Sequence, residues 1–397
     1  MSDMYLFKDK SSCCGCGACF NICSRNAITM QEDEYGFIYP QIDNNKCIKC
    51  GACRSVCSYQ KIQEVNTPIE TYTAISSNTD IKKSASGGVF ASLAKTTLSM
   101  NGVVYGASLE LLDKSLTPIH VRIDEINDLI KLQGSKYVQS FIGNTYKEAL
   151  EDLNNGKQVL FSGTPCQIAG LKAFIKKEYD NLLCIDLICH GVPNAKIFKD
   201  YIQYLEKKLH AEIIDYKFRD KSHGWGLTAK IIYKKYGCKT FQKLVQSSES
   251  SYYHLFLDST IYRENCYSCH YANPNRPGDI TIGDYWGVEI EHPELIDNTD
   301  ICLSDGVSCC VINTIKGKRY LDSYKDGLLL FPSSFEKASK HNHQLFGPSK
   351  RNNDRMKVLS IYKKEGYIGV EKWFKKNQGC KYYLRKLKRI LTTVIYH

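Results

Sequence analysis

The stretch QVLFSGTPCQIAGLKAFIKK, residues 158–177, decides the fold class. Its first third is a short apolar run that reads as a buried strand ending at Ser162-Gly163. Thr164 then stands where an N-cap is needed, and Pro165 fits the first helical position because its missing N–H would have no partner there. Gln167 completes a capping box with Thr164. Cys166 therefore falls in the first turn of a helix, where the dipole lowers a thiol's pKa. Outward from this unit the same alternation recurs. TYTAIS (71–76), VVYGASL (103–109) and IHVRI (119–123) read as strands. GVFASLAKTTLSM (88–100), closed by Asn101-Gly102, and IGNTYKEALEDLNNG (142–156) read as helices. NLLCIDLIC (181–189) is apolar on both faces, which a strand tolerates only when helices cover both sides of its sheet. A parallel or mixed α/β sheet follows. Past Tyr216 the pattern turns to β-rich pieces, TAKIIYKK (228–235) and SCCVINTI (308–315).

The chain has 397 residues, enough at roughly 150 per domain for two or three domains. With 43% hydrophobic and 24% charged residues it can bury a real core, which excludes long disorder and low-complexity classes. No apolar run approaches the ~18 residues of a membrane span, and residues 1–10 contain no apolar signal-peptide core. The expected location is the cytoplasm. The formal charge of +11 does not argue for a nucleic-acid partner, because the excess is concentrated near the C-terminus.

Nineteen cysteines in a reducing compartment point to metal or redox chemistry rather than disulfides. Nine of them lie between Cys13 and Cys57, in the repeated segments CCGCGACFNIC (13–23) and CIKCGACRSVC (47–57). Both contain Cys-x-x-Cys-x-x-Cys-x-x-x-Cys, the bacterial ferredoxin spacing, in which the fourth cysteine reaches the other cluster. One 4Fe-4S cluster is assigned to Cys13, Cys16, Cys19 and Cys57, the second to Cys47, Cys50, Cys53 and Cys23. Zinc sites take separated pairs rather than runs of four. Cys14 is out of register and reads as a spectator. Ser24 and Ser58 replace the usual proline after each last cysteine. Residues 5–60 resemble a two-cluster bacterial ferredoxin.

Two further thiols end structural elements, Cys166 at the helix start and Cys189 in LICHGVP, at the carboxyl edge where open α/β sheets bind ligands. Cys266 and Cys269 form a Cys-x-x-Cys pair in a loop before a strand. These four compose a third 4Fe-4S cluster, with a zinc half-site or isolated buried thiols as the alternatives. Cys184, Cys238, Cys302, Cys309, Cys310 and Cys380 read as core packing.

SASGGVFASLA (84–94), VVYGA, GSKYVQS (134–140), VLFSGTPCQIAGLK, LICHGVP, FRDKSHGW (218–225), CYSCHYA (266–272), GDITIGDYWG (278–287) and GVSCCVINT (306–314) occur in the order seen in the beta subunit of coenzyme F420 hydrogenases and dehydrogenases. The chain resembles that family over residues 70 to 320, and the plant hydroxymethyl chlorophyll reductase is similar to the same family. The resemblance implies a flavoprotein with a cluster beside the flavin, here fused to a ferredoxin module. It places that cluster on Cys166, Cys189, Cys266 and Cys269, and FAD near Ser86, Gly87, Gly88, Lys136 and Tyr137. Glycines and amides at a helix N-terminus suit a diphosphate, though such a glycine pair also makes a plain tight turn. No Gly-x-Gly-x-x-Gly follows a predicted strand, so a Rossmann nicotinamide site is not indicated. His190, His223, Asp279 and Asp284 lie in or beside the motifs, as proton relays or as structural polar residues.

The expected organisation is thus α+β followed by α/β. A two-cluster ferredoxin domain (1–60) and a linker (61–70) precede a flavin-binding α/β region (71–155). An α/β region with the third-cluster cysteines (156–330) follows, then a C-terminal extension (331–397). In the extension Leu384, Leu387, Ile390, Leu391, Val394 and Ile395 share about 140° of a helical wheel opposite Lys381, Arg385, Lys386, Lys388 and Arg389. Such a basic amphipathic helix docks onto the protein or lies at the inner face of the membrane. The expected function is an oxidoreductase passing electrons between ferredoxin-type clusters and FAD. Its expected partners are a redox protein or reduced coenzyme and a small-molecule substrate or deazaflavin. The rival classes are a non-catalytic electron-transfer subunit and an iron–sulfur redox sensor.

Overall fold

A computed structural model describes residues 6–61, 65–77, 79–235, 239–298, 300–325 and 327–379. Cys238, Cys380 and the basic amphipathic segment 381–395 lie outside the described residues. The N-terminal module pairs β1 (Ile28–Glu32) with β2 (Ile38–Ile42) in an antiparallel hairpin, flanked by the short helices Ala18–Ile22 and Ala52–Ser55. Each helix starts at a glycine held at positive φ, Gly17 at 78° and Gly51 at 75°. Only a residue without a Cβ makes that turn at no cost, and it wraps the cysteine loop inward.

The body is built on one eight-stranded mixed sheet. Its strands are β3 (Glu70–Ser76), β4 (Val103–Leu112), β5 (Ser115–Ile123), β6 (Val159–Gly163), β7 (Leu182–Leu187), β11 (Ile280–Asp284), β12 (Ser308–Ile312) and β13 (Leu328–Ser333). The order is β13-β3-β12-β11-β7-β6-β4-β5, so strands from both sides of residue 155 interleave. The four inner strands β4, β6, β7 and β11 run parallel, and the flanking pairs are antiparallel. Helices Val89–Ser99 and Ile315–Tyr324 pack on one face, and Thr145–Asn154 and Pro165–Ile175 on the other. This explains the two-sided apolar run of β7. A separate antiparallel sheet of β8 (Glu212–Lys217), β9 (Thr228–Lys235) and β10 (Lys239–Gln246) packs with helices Ala195–Leu209 and Arg355–Gln378. Among the described residues no helix is long and apolar enough to cross a membrane.

The capping box is formed as expected: the Thr164 amide donates to Gln167 Oε1 at 3.0 Å and Pro165 opens the helix. One cysteine departs from its expected role. Cys302 is exposed beside Ser304, whereas Cys184, Cys309 and Cys310 are fully buried in the core. The difference is local: Cys302 precedes a single 3₁₀ turn, Leu303–Asp305, while the others sit on central strands.

Candidate functional site

The module brings its cysteines into two sets, each around a small cavity. Cys13, Cys16, Cys19 and Cys57 line one, together with Cys14 and Cys53. Cys23, Cys47, Cys50 and Cys53 line the other. The fourth cysteine of each segment has thus crossed to the other segment's loop. Burial raises the thiols of Cys13, Cys19 and Cys57; the Arg263 charge pulls Cys13 back, and charge on the neighbouring cysteines raises all three. Four buried thiolates that repel one another persist only if cationic iron sits among them, so this donor set fits a cluster.

The inner cavity abuts the body of the chain. Helix Pro165–Ile175 presses on Cys16 through Gly170, where a Cβ would stand 2.8 Å from the Cys16 sulfur. A second seam joins the end of the module to the loop holding Cys266 and Cys269. Tyr59 donates to the carbonyls of Asn265 and Ser268 and stacks on His270 at 4.1 Å, and Tyr271 donates to the carbonyl of Ser58 at 2.8 Å.

Beyond that seam Cys166, Cys189 and the Cys266–Cys269 pair are brought near one another from three places in the sequence. Each of the last three is raised by burial and then by its cysteine neighbours, Cys189 to about 12 and Cys269 to about 11. Cys166 differs. Its thiol is held below its usual value chiefly by a hydrogen bond from Cys14, with Thr164 Oγ1 at 3.2 Å and the Arg263 charge contributing. Cys14, out of register with the ligand spacing, is buried beside Cys16 and Cys166 and forms wall for both the inner cavity and the large cavity beyond.

That cavity holds about 260 Å³, near the lower end of the about 300–1,000 Å³ of small-molecule sites. Cys14, Cys166 and Cys189 line its floor. Ser86, Gly88, Lys136 and Tyr137 also line it, so four of the five residues expected at a flavin face one space. Gly87 lies behind them: a Cβ there would stand 2.1 Å from the Ala74 carbonyl oxygen, which seats the turn on β3. Gly88 takes φ 90° and starts helix Val89–Ser99 with no side-chain cap, leaving its first amides open.

Lys136 lines the cavity, and Lys221 and Arg219 lie beside its Ser86 and Tyr137 walls. Burial lowers Lys136 to about 7 and, with Arg219 nearby, Lys221 to about 8. Lys136 Nζ donates to the carbonyls of Lys131 and Gln133, and Lys221 Nζ to those of Ile81 and Ser86. Arg219 pairs with Asp284 at 2.8 Å and donates to the Tyr137 hydroxyl at 3.1 Å. Trp225 donates to Asp284 at 2.8 Å and stacks on Trp286 at 4.8 Å. Of the four proton-relay residues, His190 and Asp284 line the cavity, and His223 and Asp279 do not. Asp279 is buried and accepts from the Cys184 amide. His120, Gln133, Ser140 and Trp286 also face the space; Ser140 and Trp286 lie within GSKYVQS and GDITIGDYWG, but none of the four is an expected site residue. Gln133 Nε2 is buried there without a hydrogen-bond partner among the described residues.

Two family models match the chain. Residues 156–333 match the one for the C-terminal part of the coenzyme F420 hydrogenase/dehydrogenase beta subunit. Over that stretch, under half of its length, the chain is similar to this family. Residues 12–61 match the 4Fe-4S dicluster domain, so the chain joins an iron–sulfur module to part of an oxidoreductase family. The F420-reducing [NiFe] hydrogenase complex from Methanosarcina barkeri, solved with xenon, contains a chain similar at 16% identity and a TM-score of 0.39. The match covers 78% of this chain and 94% of that one. A search of curated proteins returned no match.

Proposed function

We propose that this protein is an iron–sulfur flavin oxidoreductase in which the module's clusters feed a third cluster on Cys166, Cys189, Cys266 and Cys269, next to FAD in the 260 Å³ cavity. The observation that carries the reading is the shared wall. Cys14, Cys166 and Cys189 face the same space as the helix start at Gly88 and the lysine Lys136, and Lys221 is held beside it on the Ser86 carbonyl. A helix N-terminus and a nearby lysine are what a diphosphate needs. The unpartnered Gln133 amide supplies a further donor. Bound FAD would supply the exchange between single-electron traffic and two-electron hydride chemistry. The chain's own residues hold the anion, exclude water behind Tyr137 and Phe256, stacked at 4.5 Å, and fix Asp284 with Arg219 and Trp225. The substrate is a small molecule entering the same cavity, a deazaflavin being the class that the family's description suggests.

Anaerobic purification tests this: about twelve irons and one FAD per chain are expected. Replacing Cys266 and Cys269 together by serine should remove about four irons, and unchanged iron would overturn the third cluster. A second reading, an electron-transfer subunit without its own substrate, draws on the outer cysteine loop, where Cys50 is exposed and Ile48 is 61% exposed. Eight irons without flavin would favour it.

A further inference from the structure

Four large cations are buried in the body, and three of them have an obvious counter-charge. Arg219 pairs with Asp284, Arg276 with Asp186 and Arg355 with Glu264. Arg263 is the exception. It is wholly inaccessible, and among the described residues no carboxylate lies within ion-pair distance of it. Its Nε donates to the Cys13 carbonyl at 3.0 Å, one Nη to Gln139 Oε1 at 3.3 Å and the other to the Cys13 sulfur at 3.8 Å. The guanidinium lies over the Tyr39 ring at 4.0 Å. A buried cation without a counter-charge is expensive. The negative charge that would balance it belongs to the cysteines around it that become thiolate ligands of a cluster, Cys13 on the module side and Cys266 on the body side.

We infer that Arg263 is a positioning residue that sets the direction of electron flow, holding the inner cluster of Cys13, Cys16, Cys19 and Cys57 at a higher reduction potential than the outer one. The inference rests on the cluster assignments above. Reduction adds one negative charge to a cluster, and a buried cation with an N–H···S bond to a ligand favours that form. The outer set, around Cys47 and Cys50, lies at the surface; Arg25 lines its cavity but is exposed, whereas Arg263 is wholly buried and bonded to a ligand sulfur. An electron received by the outer cluster from a reduced redox protein then moves downhill: the outer cluster is oxidised by one electron and the inner one is reduced by one. The same arginine faces Cys166 and Cys266, so the inner cluster and the third share one cation across the seam.

The test is a redox titration of the loaded protein followed by electron paramagnetic resonance, comparing wild type with Arg263→Gln, Arg263→Lys and Gln139→Glu. Arg263→Gln removes the charge. Gln139→Glu keeps the arginine but places a carboxylate on it, and being nearly isosteric it carries the test if Arg263→Gln fails to load. Both should lower the reduced-to-oxidised ratio of the inner cluster about tenfold at a fixed potential, which is about 59 mV for one electron. Arg263→Lys should stay near wild type, and the outer cluster should not move in any variant. An inner cluster unmoved by Gln139→Glu or Arg263→Gln, with iron fully retained, would overturn the inference. So would an equal shift of both clusters. Wild-type protein with eight irons and no flavin would instead overturn the proposed function and leave the ordering of the two module clusters standing.

Discussion

Gly170→Ala separates the stability of the fold from the stability of its iron. Gly170 lies inside helix Pro165–Ile175, where alanine is intrinsically favoured by about 0.8–1.0 kcal/mol. Its new methyl would stand 2.8 Å from the Cys16 sulfur, 3.0 Å from the Cys16 Cβ and 3.0 Å from the Tyr146 hydroxyl. Overfilling a packed core costs about 1–3 kcal/mol. Which effect wins depends on whether Cys16 can move. In cluster-free protein its side chain turns about one bond and withdraws the sulfur, so helix propensity offsets most of the strain. With that sulfur bonded to iron the withdrawal is blocked, and the helix must shift instead. Tyr146 is held in both states, because its hydroxyl donates to the Gln167 carbonyl at 2.7 Å. Its share of the strain therefore cancels in the comparison. The substitution is expected to leave the cluster-free protein within about 0.5 kcal/mol of wild type and to weaken cluster retention by about 1–2 kcal/mol. Since 1.4 kcal/mol is a factor of ten, iron held against a chelator should fall about five- to thirty-fold. Denaturant midpoints of both forms and chelator release under anaerobic conditions measure the two quantities. Equal destabilisation of the loaded and cluster-free forms would refute the claim that Cys16 is pinned.

Three further outcomes follow from the same geometry. Asp186→Asn leaves Arg276 buried against a neutral amide and should cost about 3–5 kcal/mol in urea unfolding, whereas an exposed pair such as Lys131–Asp128 should cost under about 1 kcal/mol. Gly87→Ala drives a methyl into the Ala74 carbonyl and the Ser308 amide, so it should abolish flavin retention while the module's iron count stays at about eight. Lys136 titrates near 7 when folded and near 10.4 when unfolded, so between those values the unfolded chain binds more protons and stability rises with pH. A diphosphate drawing Lys136 into its charged form takes up that proton. Its affinity should fall above pH 7 by at most about tenfold per unit, and Lys136→Met should flatten the profile.

The sheet was readable in the sequence because its inner strands are buried on both faces and its key helix carries a complete start signal. TAKIIYKK coincides with β9, and the capping box at Thr164 formed as spaced. Helix Ala195–Leu209 escapes a reading by pattern, although Ile197, Phe198, Tyr201, Ile202 and Leu205 repeat at helical spacing behind an Asn194 cap. Its many lysines and tyrosines blur the apolar stripe. Helix Arg355–Gln378 hides for another reason: Gly366 interrupts it at φ 63°, which rotates the two halves' faces apart. At the site, sequence spacing grouped the cysteines because ligand geometry is local. It missed Arg263, whose importance comes from a contact with Cys13 across 250 residues, between the module's first loop and the body. No periodicity reports a meeting of that kind.

The exposure of Cys50 also governs how the protein would perish in air. In the proposed three-cluster protein dioxygen reaches the outermost iron first, and losing that centre leaves the two inner ones at the Tyr59 and Tyr271 seam still shielded. A sample that has bleached by about a third should therefore still take electrons from a small artificial reductant while refusing those of its protein partner. Decay then runs from the rim inward, and the outer centre acts as a sacrificial fuse.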